Sequence, residues 1–317
     1  MLQIISLSIL SKGFVWINDK QETCMVGWLI YSEQDVEKNE RYIEFYMGEG
    51  KLQDIIINLI LVEKLEFGIR NDHCFLTYNQ KEIKYPDFAI CRTIYPLLSK
   101  QLEYMGILVF NNSQVAEICN DKAKTYQYVA QLGIQIVDSI FYQNSMVKQA
   151  INSRKEPSVI KAVAGHGGNQ VFLVNPFHST GVEMEKEADF NTVYEKLDKS
   201  DVVLQPLVGT RHQDLRVYII GHEIIAAVLR TAKEGFKSNY SLGGEVREYK
   251  LSLEEIKIVG KIVNHFEFGL VGIDFIIGDK GELIFNEIED VVGARMLYQC
   301  TDINLVRLYL NYIKLSF

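Results

Sequence analysis

Apolar positions fall into short unbroken runs separated by periodic, mixed stretches, the pattern of strands threaded with helices. The runs LQIISLSIL at 2–10, DFAICRT at 87–93 and GILVF at 106–110 predict buried strands, with a helix over IYPLLSKQLEYM at 94–105 joining the last two. That is α/β grammar. NDKAKTYQYVAQLG at 120–133 predicts a helix capped by Asn120 or Asp121 and stopped by Gly133, which puts Lys122 in its first turn. A lysine there meets the unfavourable end of the helix dipole, a placement suited to a surface residue or to a cation held for an anionic ligand.

From residue 158 the pattern changes to hairpins: VIKAV with QVFLV, LRVYII with EIIAAVLR around Gly221-His222, and GIDFII with ELIFNEIE around Asp279-Lys280. SLEEIKIVGKIVNHFEFG reads as a helix with a Ser252–Glu255 capping box that ends at Gly269. TDINLVRLYLNYIKL reads as a closing helix with Thr301 or Asp302 as its cap, and SRKEPS and STGVEMEKEAD read as loops.

Composition narrows the class. A chain of 317 residues, 48% hydrophobic and 23% charged, is sized for two or three lobes around connected cores. The net charge of −8 argues against a broad nucleic-acid surface, yet leaves room for a local basic cleft. Five cysteines without a CxxC pair indicate neither a disulfide framework nor a zinc knuckle. With no basic leader and no apolar run near ~18 residues, a cytoplasmic protein with no membrane partner is expected.

The last hairpin carries the clearest chemistry. With Ile277 opposite Glu282, Asp274 lies across from Phe285 and diagonal to Glu287. Asp274, Glu287 and Glu289 then share one face, while Ile273, Phe275, Ile277, Ile284 and Ile288 share the other. Carboxylates placed within roughly 5–8 Å of each other repel unless a positive group lies between them. Oxygen donors without His or Cys favour magnesium or manganese, and magnesium commonly also takes nucleotide phosphate oxygens. A salt-bridged acidic face drawing on Arg216, Arg230 or Lys233 fits the pattern equally.

In SVIKAVAGHGGNQVFLV, the glycines at 165, 167 and 168 let backbone approach a phosphate, and Lys161 supplies a compact charge; a plain tight turn is the simpler reading. A third cluster, Asp214, Arg216, Arg230, Lys233, Lys237, Ser238 and Asn239, could neutralise phosphate and carboxylate charge, or form a surface charge ladder. No Walker A, GxGxxG, HExxH or GxSxG pattern occurs.

In this order, these constellations resemble the ATP-grasp superfamily, and in particular the RimK-like carboxylate–amine ligases. The similarity runs over roughly residues 85 to 310, through VIKAVAGHGGNQV, LQPLV, DLRVYIIGHEIIAAVLRTAKEGFKSNYSLGG and VGIDFII to FNEIE. It implies a mixed α/β and α+β ATP-grasp fold: an N-terminal α/β pre-ATP-grasp lobe at 1–112, a central lobe with a Gly-rich lid at 113–206, and a C-terminal lobe with the metal hairpin at 207–317. It further implies that Lys122 and Lys161 contact phosphates under a lid of Gly165, Gly167 and Gly168. Gln205, Pro206 and Leu207 match the adenine hinge, and Asp214, Lys237, Ser238 and Asn239 match further nucleotide contacts. Asp274, Glu287 and Glu289 match the positions for Mg2+ (or Mn2+), as two ions. Arg216 and Arg230 are similar to the arginines that steady reacting groups, while Arg92 and Arg295 border the substrate.

The implied reaction uses ATP to turn a carboxylate into an acylphosphate that an amine displaces, with amino-acid or peptide substrates. No nucleic-acid partner is implied, and a homo-oligomer is compatible. Two departures stand out: Glu289 occupies a position where the family usually has Asn, and DVVGARML replaces a Pro-Gly turn. Carboxylate–thiol ligation, small-molecule phosphorylation and a catalytically weak ATP-binding regulator are the alternative readings.

Overall fold

The computed structural model describes residues 24–152, 155–168, 170–174, 190–209, 211–232 and 245–317. The opening run at 2–10, the polar loop at 179–189 and residues Lys233, Lys237, Ser238 and Asn239 lie outside the described residues.

Strand β1 (Met25–Tyr31) is followed by helix α1 (Glu33–Leu52), whose cap Ser32 accepts from the Asp35 N–H, and by β2 (Ile55–Leu61). A small antiparallel sheet follows, made of β3 (Leu65–Arg70), β4 (His73–Tyr78) and β5 (Lys81–Glu82). Then come β6 (Phe88–Cys91), α2 (Pro96–Tyr104) and β7 (Leu108–Phe110) in the expected strand–helix–strand order. The parallel sheet is ordered β2-β1-β6-β7. Pro96 opens α2, where its missing N–H costs nothing.

Helices α3 (Ser113–Cys119) and α4 (Lys122–Ala130) lead into β8 (Ile140–Tyr142), α5 (Val147–Asn152), β9 (Ser158–Ala162), β10 (Val171–Val174), α6 (Phe190–Lys196) and β11 (Val202–Pro206). Their sheet is antiparallel, ordered β10-β9-β11-β8. Asp121 caps α4 by accepting from the Lys124 N–H, and Gly133 takes φ +64° just past its end, both as expected.

The largest sheet joins β12 (Gln213–Ile220), β13 (Glu223–Thr231), β14 (Glu245–Glu248), β15 (Leu270–Ile277) and β16 (Leu283–Glu289), ordered β14-β13-β12-β15-β16 and antiparallel throughout. Helix α7 (Leu253–Val263) precedes β15, while α8 (Arg295–Cys300) and α9 (Leu305–Leu315) close the chain. Period-two alternation divides β12 between two cores: Leu215, Val217 and Ile219 meet α4 and α7, whereas Tyr218 and Ile220 meet α9 and the N-terminal sheet. The hairpins of the large sheet therefore stand on a layer buried from both sides.

The structure corrects three expectations. The hairpin register is shifted in two steps: a turn closed by Gly278 N–H on the Glu282 carbonyl pairs Ile277 with Leu283, and a bulge at Asn286 then pairs Asp274 with Glu287. Leu283 and Phe285 consequently enter the core in place of Ile284. Helix α7 keeps its capping box but stops at Val263, not Gly269, since Phe266 and Phe268 turn into the core. The closing helix starts at Leu305 with Asn304 as its cap, after the separate helix α8.

Candidate active site

The central sheet and the large sheet face each other across a cleft enclosing about 1000 Å³, open solvent at its mouth included. Lys122, Lys161, Gly167 and Gly168 form one wall; Asp214, Arg216, Asn286, Glu287 and Glu289 form another, with Gln205, Pro206 and Leu207 at the crossing between the sheets. Residues far apart in sequence meet because β9 and β11 are paired neighbours, as are β12, β15 and β16.

Gly167 and Gly168 adopt φ +64° and +74°, the left-handed region that favours glycine. Gly165 serves a different end: a Cβ there would lie 2.9 Å from Gln170 Oε1. Its carbonyl accepts a hydrogen bond from Lys122 Nζ, whose other partner is Glu287 Oε2 at 3.4 Å. Lys161 Nζ donates to Asn286 Oδ1 at 2.9 Å and to the Tyr126 hydroxyl at 3.3 Å. Burial pulls the Lys161 ammonium down to about 8, against the opposing pull of the Glu287 carboxylate. Two buried cations thus share a wall, with the half-exposed Glu287 carboxylate beside them.

Deeper in, arginines and carboxylates interlock. Arg216 donates to Asp274 through Nε and Nη2 at 2.8 and 2.7 Å, and Arg230 Nη2 reaches the same carboxylate at 2.7 Å. Arg230 Nε also holds Asp214, and Arg216 Nη1 contacts Glu289 Oε2. Burial alone would raise Asp274, but the two guanidinium groups overcome it and hold the carboxyl below the usual carboxylate range. Asp214 and Glu289 go the other way, pushed up chiefly by burial despite Arg230 and Arg216 respectively.

Hard oxygens from Glu287, Glu289 and Asn286 suit a magnesium ion that completes its shell with nucleotide phosphates. A ready-made cage of three acidic, His or Cys side chains does not occur among the described residues. Asp274 is only 1% exposed, is not part of the cleft wall, and spends three of its four lone-pair directions on guanidinium N–H groups.

Arg92 and Arg295 do not line the cleft. Arg92 is buried, donating to the Tyr31 hydroxyl and the Val292 carbonyl, while Arg295 is exposed at the start of α8. Asn286 was missed because only the bulge brings two successive residues of β16 to the cleft side. Also missed was Asp290, which is buried and accepts from Asn111 and Asn120, tying the turn after β16 to β7 and α3.

Residues 119–313 match the model of the RimK-like ATP-grasp domain. Glutamate–LysW ligase ArgX of Sulfurisphaera tokodaii is 27% identical over 288 residues, covering 88% of this chain and 95% of that protein. Human N-acetylaspartylglutamate synthase A is 26% identical over 278 residues, covering 82% of this chain and 68% of that protein. Among solved structures, the RimK domain ATP-grasp protein of Sphaerobacter thermophilus superposes with a TM-score of 0.63 at 12% identity, over 91% of this chain and 99% of that one, a likeness of fold. The family model takes in the cleft from the lysine of α4 through the acidic hairpin, so the chain belongs to the RimK-like ATP-grasp family of carboxylate–amine ligases.

Proposed function

We propose that the protein joins a carboxylate to an amine on amino-acid or peptide substrates, at the expense of ATP and through an acylphosphate, releasing ADP and phosphate. The observation that carries this is the convergence of Lys122 and Lys161 with Asn286, Glu287 and Glu289 on one cleft between two sheets. Buried ammonium groups facing paired oxygen donors suit a polyphosphate, whose charge they offset as it redistributes.

In this reading Lys122 and Lys161 hold phosphates, the Gly165–Gly168 loop covers them, and the backbone at Gln205–Leu207 receives the base, with Asp214 nearby. Lys237, Ser238 and Asn239 are assigned nucleotide contacts from the resemblance alone. Arg216 and Arg230 steady the transferred phosphoryl group and the reacting carboxylate, with Arg92 and Arg295 on the substrate side. Glu287 and Glu289, backed by Asp274, would hold one or two magnesium ions, which supply charge neutralisation at the phosphates. The proposed lobes are 1–112, 113–206 and 207–317. The five cysteines are free and no described helix is long and apolar enough to cross a membrane, features that support assignment to a reducing cytoplasm.

Carboxylate oxygen attacks the γ-phosphorus and the bond to the bridging oxygen breaks to release ADP; the amine then displaces phosphate from the acyl carbon and loses a proton. Incubating the protein with magnesium, ATP and pooled amino acids and short peptides tests this. The expected result is ADP together with an adduct one water lighter than its two parents; AMP as the product would overturn it.

A further inference from the structure

Asp290, the first residue beyond β16, is 5% exposed, and among the described residues its carboxylate forms no ion pair. Side-chain amides engage both of its oxygens: Oδ1 accepts from Asn111 Nδ2 at 2.5 Å and Oδ2 from Asn120 Nδ2 at 2.8 Å. Neither asparagine can turn its amide over without loss. Asn111 Oδ1 accepts from the Gly269 and Leu270 N–H groups at 2.6 and 3.0 Å, and Asn120 Nδ2 also donates to the Ala116 carbonyl at 2.8 Å. Two fixed donors therefore face position 290. Among side chains of this size only a carboxylate accepts on both prongs, since asparagine would set an amide NH2 against one of them. A buried carboxylate without a cation is costly, so its presence here calls for a reason.

Chain connectivity supplies one. Asn120 closes α3 and stands two residues before Lys122, the first residue of α4, while Asp290 follows Glu289, the last residue of β16. The Asp290–Asn120 bond thus joins the base of the lysine wall to the end of the carboxylate wall, and neither residue lines the cleft itself. A second polar link, Lys122 Nζ to Glu287 Oε2 at 3.4 Å, joins the same two walls inside the cleft. Ligand binding acts on the two differently. As Lys122 turns to phosphate and Glu287 to metal, the inner link is given up, whereas the outer one keeps both partners.

Building on the nucleotide and metal assignments of the ligase reading, we propose that Asp290 is a positioning residue for the magnesium form of the nucleotide. Through Asn120 it fixes the spacing between Lys122 and the carboxylates of β16, without touching nucleotide or metal. Only a nucleotide that reaches both walls depends on that spacing. Without metal, the nucleotide engages the lysines and the hinge but not the carboxylates, and the spacing matters little.

Calorimetric titration of the full chain separates this role from plain structural support. ATP is titrated into the wild type, Asn120→Ala, Asp290→Ala and the double variant, once with excess magnesium and once with a chelator. Each single variant should weaken binding about fivefold or more with magnesium, and less than about twofold without it. Because both substitutions break one bond, the double variant should bind no more than about threefold more weakly than Asp290→Ala. Asn120 is only partly buried, so Asn120→Ala tests the role even if Asp290→Ala does not fold. Equal weakening with and without magnesium, no weakening in the single variants, or additive losses in the double variant would overturn the proposal and leave the ligase reading standing. A wild type that binds ATP in neither condition would overturn the nucleotide reading, and this proposal with it.

Discussion

Arg216 and Asp274 stand directly opposite one another on β12 and β15 and meet through two parallel hydrogen bonds of 2.8 and 2.7 Å. The same carboxylate holds Arg230, so one acid anchors two guanidinium groups, of which Arg216 lines the cleft. Glu287, its register partner on β16, is half-exposed and, among the described residues, pairs with Lys122 alone, at 3.4 Å. Two carboxylates in register thus do different work.

Removing each should separate the two roles. Asp274→Ala leaves two buried guanidinium groups without their shared partner and should cost about 3–5 kcal/mol of folding stability. Glu287→Gln breaks a single half-exposed pair and should cost no more than about 1 kcal/mol, yet reduce turnover by roughly a hundredfold or more. Urea denaturation and initial-rate measurements on both variants check this; a stable, fully active Glu287→Gln enzyme would refute the role given to that residue.

Acid should weaken the fold through Asp274. Its folded carboxyl sits below the unfolded value of about 3.9, so its contribution is present above that pH and is lost as pH falls toward the folded value. Stability measured between pH 6 and pH 2 should fall most steeply in the lower half of that range, and Asp274→Asn should flatten the slope.

Lys161 acts with the same sign in a more alkaline window, though its shift comes from burial and not from pairing. Its folded pKa, drawn down to about 8, lies below the unfolded lysine value of about 10.4. The unfolded chain therefore binds more protons between those values, and the contribution of Lys161 to unliganded stability rises with pH across that window. ATP affinity should move the other way, because the anion binds the charged amine: Kd for ATP should climb as pH passes about 8. Calorimetric titration of ATP from pH 7 to 9.5 reads this directly, and in Lys161→Met the pH dependence should vanish along with most of the affinity.

The glycines of the 165–168 loop should resist substitution through backbone conformation. At φ +64° and +74°, Gly167→Ala and Gly168→Ala each force a side chain into the left-handed region at a cost of about 1–2 kcal/mol. Since Gly167 and Gly168 line the cleft, the expected readout is a raised KM for ATP, with a smaller change in global melting temperature.

Much of this architecture is legible from pattern. Period-two alternation in LRVYII and GIDFII marks the strands, the Ser252–Glu255 box marks a helix start, and the similarity over residues 85 to 310 points to the cleft residues. Alternation cannot report a bulge: Asn286 shifts the register of β16 by one residue and enters the cleft, a consequence of strand pairing and not of composition. Pattern also left open whether the acidic face binds metal or pairs with arginines. In the structure Asp274 is paired with Arg216 and Arg230, while Glu287 stays half-exposed toward the cleft.

The most direct test of the central claim is to follow oxygen. With a donor labelled with 18O in its reacting carboxylate, ligation in the presence of ATP and magnesium should place one labelled oxygen in the released phosphate, because that oxygen bridges carbon and phosphorus before the amine displaces it. Labelled phosphate together with unlabelled ADP is the predicted result. Unlabelled phosphate, or label recovered in AMP, would contradict the account.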